Sequence, residues 1–137
     1  MAGGSPTRAA LILIGFTASI AQIALLRELL AAFGGNEMSI GLALAGWLLW
    51  TAAGSGGAGA LARGVRRPRL ALAVTEALLA CSLPVTILGL RAARAALQAA
   101  PGESLGPGVG LALAMTALGP VCLLSGALFA FGAALRA

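Results

Sequence analysis

A four-helix integral membrane bundle is the fold class this sequence predicts, and three observations predict it. The composition is 60% apolar and only 9% charged over 137 residues, whereas soluble globular domains carry about 25% charged residues. The apolar residues fall into four runs, each long enough to cross a bilayer core that takes about 20 helical residues. Short turns rich in Gly, Pro and Arg separate the runs. In lipid each span must satisfy its own backbone hydrogen bonds, so the runs imply helices. We read residues 1–137 as a single all-α transmembrane domain with both termini cytoplasmic.

The charged set excludes several chemistries. All nine basic residues are Arg and all four acidic ones are Glu, with no His anywhere. Imidazole haem ligation, a His proton relay and a His-containing zinc site are therefore ruled out within the chain. Cys81 and Cys122 both lie inside apolar runs and read as small buried hydrophobes rather than a disulfide or metal pair. The net charge of +5 is spread over turns without interleaved aromatics, which fits membrane topology and not nucleic-acid binding. No catalytic constellation is visible, so the chain is expected to be neither an enzyme nor a cofactor carrier.

The first helix is predicted over about residues 9–33. The polar segment MAGGSPTR precedes it, and the run outlasts a signal-peptide core without a small-x-small cleavage site, so it reads as an uncleaved span. Ser5 or Thr7 is available as its cap, and Gly34-Gly35-Asn36 ends it.

The second helix, about 38–62, repeats small residues every four positions. Ala53 pairs with Gly57, Gly54 with Ala58, and Ser55 with Gly59. Together with Gly46 they form a face that invites another backbone. Lipid gives helices no hydrophobic reason to associate, so close contact over small residues holds them together. Trp47 and Trp50 lie near the middle of this span and fill space between helices rather than forming an interfacial belt.

Arg63, Arg66, Arg67 and Arg69 crowd the following turn and make a basic loop. With Arg8 and Arg136 they outnumber Arg91 and Arg94, which fall on the opposite side, so the positive-inside bias places the loop in the cytoplasm. The third helix covers about 70–90 and extends towards 100 through RAARAALQAA, where Arg91, Arg94 and Gln98 share a polar face. Pro84 should kink it, and Pro101-Gly102 should stop it. The fourth helix is predicted over about 109–135, bent at Gly119-Pro120.

Charge inside the spans is where chemistry is sought, because each ionisable group there costs a few kcal/mol unless paired, hydrated or near the interface. Gln22, Arg27, Glu28 and Glu37, with Glu76 from the third helix, are the candidates for a polar pocket. Arg27 and Glu28 are adjacent and point about 100° apart, so they are not each other's partners. Glu76 lies roughly 9 Å inside the predicted third helix, and Arg69, seven residues earlier on nearly the same face, is its candidate partner.

Three segments carry a family resemblance: GFTASIAQIALLREL from Gly15, GLALAGWLLWTAAGSGGAGALAR from Gly41, and GPVCLLSGALFAFGAAL from Gly119. They resemble the N-terminal membrane region of the spermidine-synthase-like fused membrane proteins, which join major-facilitator-like helices to a polyamine-synthase-like domain. In that pattern a glutamine is followed five residues on by an arginine, matched here by Gln22 and Arg27, with Leu25 where an aromatic often stands. The glycine-rich second helix leading into a basic turn matches Gly59 to Arg69. The synthase domain has no counterpart in these residues, so polyamine synthesis is not expected.

Two functions fit. The first is a small non-catalytic subunit that packs through glycine-rich helix faces onto a larger assembly in a bacterial inner membrane. Its partners would be the lipid bilayer and other integral membrane subunits or copies of itself. The second is part of a major-facilitator-like transporter for a small polar or cationic solute, complete only as an oligomer or in a longer chain, since four helices fall short of a six-helix half.

Overall fold

The computed structural model describes residues 5–33, 37–97 and 107–135. It contains four α-helices and no strand among the described residues: α1 Ser5–Phe33, α2 Glu37–Ala62, α3 Pro68–Ala96 and α4 Pro107–Ala134. Each holds a stretch long and apolar enough to cross a membrane: Leu11–Ala31, Ile40–Ala62, Pro68–Ala96 and Gly108–Ala134.

Local chemistry accounts for the helix ends. The α3 helix starts at Pro68, two residues before the sequence expectation. A proline suits the first helical position, where its fixed φ is already helical and its missing N–H has no partner to lose. At the other end Leu97 N–H bonds the Ala93 carbonyl at 3.0 Å and closes the last turn. The stop signals at Gly34-Gly35-Asn36 and Pro101-Gly102, like the polar position Gln98, lie outside the described residues. Neither Pro84 nor Pro120 ends its helix. Each removes one backbone bond, and the rest of the ladder carries the helix through. Hydroxyls at Thr17, Ser19, Ser55, Thr75, Ser82 and Thr116 bond carbonyls three or four residues back in their own helices, which satisfies them without water.

The α4 helix is the centre of the bundle. Its span is 44% buried, against 11–17% for the other three. It packs most extensively on α2, then on α3, and lightly on α1, while α2 and α3, consecutive in sequence, scarcely touch. The α2–α4 pair is parallel: Gly46 lies against Met115 and Leu118, Trp50 covers Gly119 at 3.5 Å, and Gly54 meets Leu123. Further along, Gly126 of α4 faces the Thr51 carbonyl and the Ser55 backbone. A Cβ on Gly54 would run into the Leu123 carbonyl and lie 2.8 Å from Leu123 Cα. The two backbones approach so closely because each contact has a glycine on one side, Gly54 against Leu123 and Gly126 against Thr51 and Ser55, which is the small-residue packing that lipid favours.

Of the small residues expected to pack, Gly46, Gly54 and Ala58 are buried within the chain, whereas Ala53 and Gly57 are exposed and Gly59 is half-buried. Positions 53 and 57 lie on a flank beside the α4 contact, about 100° and 60° round the helix from Gly54. Leu25, Leu29, Leu79, Val121, Cys122 and Leu128 are fully buried and fill the space between helices. Outside, Ile12, Phe16, Leu48 and Phe129 are each more than 60% exposed. So large an apolar surface is a liability in water and a match for hydrocarbon.

Candidate functional site

The polar residues singled out from the sequence occupy three separate places. The first is a clasp between the C-terminal ends of α1 and α3. Arg91 Nε donates to Glu28 Oε2 at 3.1 Å, and Arg91 Nη2 donates to Glu28 Oε1, giving a two-point contact between guanidinium and carboxylate. One turn on, Arg94 Nη1 donates to the Ala31 carbonyl. That carbonyl belongs to the last turn of α1, where backbone acceptors have no helical donor and a cation complements the helix dipole. Two arginines of one helix thus tie down the end of another. Arg27 is exposed beside the clasp. The side chain of Glu37 lies outside the described residues.

The clasp was only half legible. In the sequence Glu28 stands out as a charged residue within a span, and Arg91 and Arg94 share one polar face, but nothing there joins them. The available signal was their spacing of three, which suits two contacts on successive turns of a neighbouring helix. The pairing itself is long-range, and the contact between α1 and α3 makes it.

Gln22 occupies the second place. It is half-buried and lines a narrow gap with Leu26 and Leu29 of α1, Ala43 and Trp47 of α2, and Leu118 of α4. This gap is apolar and separate from the clasp, so Gln22 and Glu28 do not share a pocket.

The third place is Glu76, half-buried on α3. Because α3 begins at Pro68, Glu76 lies about 12 Å along the helix from the basic turn, deeper than the sequence boundary implied. Its Oε2 is buried and has no hydrogen-bond partner. The expected pair with Arg69 does not form: the ion pair present among the described residues is Glu28–Arg91, and Arg69 is exposed. Two helical turns separate Arg69 from Glu76, and the guanidinium stays at the open end of the helix. From 76 to 91 the rise of α3 is about 22 Å, so Glu76 and the clasp cannot belong to one site.

The basic loop follows from short-range chemistry. Gly64 N–H bonds the Leu61 carbonyl at 2.9 Å and Val65 N–H bonds the Ala62 carbonyl at 3.3 Å, turning the chain out of α2. Arg63, Arg66, Arg67 and Arg69 are all exposed around this turn. They lie at the opposite end of the bundle from the clasp.

Three further polar atoms are buried without partners: Trp50 Nε1 and Thr51 Oγ1 of α2, and Ser125 Oγ of α4. They lie on the helices of the α2–α4 crossing, where the close backbone approach leaves little room for additional groups. No group of three or more metal-ligating side chains occurs among the described residues. Compared with protein families, curated proteins and solved structures, the chain matches none.

Proposed function

We propose that the chain is a small non-catalytic integral membrane subunit that packs onto a larger assembly in a bacterial inner membrane. The observation that carries this reading is the second small-residue face of α2. The first face, Gly46, Gly54 and Ala58, is used on α4, while Ala53, Gly56, Gly57 and Ala60 recur at spacings of three and four on the adjoining flank and are exposed. A Cβ at Gly56 or Gly57 would meet nothing within 4 Å. In hydrocarbon such a face gains most from another helix lying close against it. The orientation we infer places the Arg63–Arg69 turn and Arg8 in the cytoplasm by the positive-inside bias. Tagged chain purified from its native membrane should carry other integral membrane subunits in fixed ratio and lose them on Gly57→Leu or Ala53→Leu. Purification of the chain alone at native expression level would refute the reading.

A second reading is favoured by Glu76: part of a major-facilitator-like transporter for a small polar or cationic solute, as the resemblance to the spermidine-synthase-like membrane region implies. An unpaired carboxylate within a span is the kind of group such pathways use. Proteoliposomes holding this chain alone and showing saturable solute uptake, abolished by Glu76→Gln, would establish it over the first.

A further inference from the structure

We infer that the exposed face of α3 around Glu76 docks a partner transmembrane helix that carries a basic residue at the same depth. This rests on the reading of the chain as an assembly subunit, and it names the chemistry of one partner. Ala73, Glu76, Ala77, Ala80 and Pro84 recur at spacings of three and four and share one side of α3. Ala73, Ala77, Ala80 and Pro84 are exposed, and Glu76 stands where this face meets the buried side that carries Leu72, Thr75 and Leu79.

The face offers acceptors and no donor. Glu76 Oε2 is covered by the chain's own atoms and unbonded, while the residue as a whole is only half-buried and borders this face. Pro84 has no N–H, so the Ala80 carbonyl, one turn beyond Glu76, receives no helical bond from it. No cation of the described residues reaches the site: Arg69 is exposed two turns away, and Arg91 is engaged at Glu28. A carboxylate this deep is costly unless a partner compensates it. A guanidinium or ammonium has several donors and serves both acceptors, whereas an acyl chain serves neither. A second copy of the same face brings only more acceptors. The alanines keep the surface low, so a partner backbone can come close enough for its basic side chain to reach Glu76.

The test uses the full chain in phosphatidylcholine vesicles with alanine-leucine transmembrane peptides carrying one Arg or one Gln about 12 Å from one end. Binding is read by energy transfer between labelled chain and peptide. The Arg peptide should bind about tenfold more tightly than the Gln peptide, in line with interhelical polar contacts in model peptides. Glu76→Gln should make the two peptides equal, and Ala77→Leu, which raises the face but keeps the carboxylate, should do the same. If Glu76→Gln fails to fold, Ala77→Leu carries the test. Equal binding of both peptides to the unaltered chain, or an Arg preference that survives these substitutions, would overturn the proposal. Because the peptide stands in for the partner, this result is independent of whether other subunits co-purify with the chain.

Discussion

The α2–α4 crossing gives the sharpest stability prediction. A Cβ at Gly54 would lie 2.8 Å from Leu123 C and Cα, and one at Gly126 would lie 2.8 Å from Ser55 N. Ordinary contacts between carbon atoms need about 3.5–4.0 Å, so each alanine is roughly 1 Å too close to a backbone that cannot rotate away. The helices must separate along the most extensive contact that α4 makes. Overpacking of this kind costs about 1–3 kcal/mol, and the backbone identity of the neighbour places Gly54→Ala and Gly126→Ala towards the upper end. Both substitutions widen the same gap, so the double variant should lose less than the sum of the singles. Gly56→Ala and Gly57→Ala meet nothing within 4 Å and should leave the isolated chain as stable as before. The assay is unfolding of the purified chain by increasing denaturing detergent, followed by the fluorescence of Trp47 and Trp50, which pack against the core. Trp50 lies directly over Gly119 in this contact and reports its separation. Equal stability of Gly54→Ala and Gly57→Ala would refute the close-approach argument.

Two further predictions concern the clasp and the cysteines. Glu28→Arg or Arg91→Glu alone should loosen the end of α1, seen as faster amide exchange around Ala31, and the double exchange should restore protection. The change should be smaller than that of Gly54→Ala because Arg91 is 63% exposed, and unchanged exchange in both single variants would remove the clasp from the account. Cys81 is exposed on α3, where the sequence suggested burial, and Cys122 is fully buried, so a maleimide, which needs a thiolate, should label Cys122 only once denaturing detergent has unfolded the chain. Labelling of Cys122 in the folded chain would mean that the α4 core is open.

Charge and glycine were legible to different degrees for a physical reason. The small-residue repeat of α2 was visible in the sequence because a four-residue period marks a helix face, but the period alone allowed two faces. Packing on α4 took Gly46, Gly54 and Ala58 and left Ala53 and Gly57 outside. The partner glycines on α4, Gly119 and Gly126, are seven apart, a spacing that signals one face without naming its neighbour. For Glu76 the local pattern suggested Arg69, since seven residues return nearly to the same side. The pair does not form because two turns of rise separate the groups and the arginine keeps its open position.

What the sequence determined by itself is the class and the segments: four apolar runs, broken by turns, that must close their own backbone bonds and so become helices ending within a few residues of the expected positions. Those are local consequences of composition and spacing. The tertiary structure alone decided that α4 is the centre, that α2 packs on it and scarcely touches α3, and that Glu28 finds Arg91 while Glu76 finds no partner within the described chain. These depend on which helix faces meet. Four apolar helices with small residues on several sides allow more than one arrangement, and only the fit of one backbone against another selects among them.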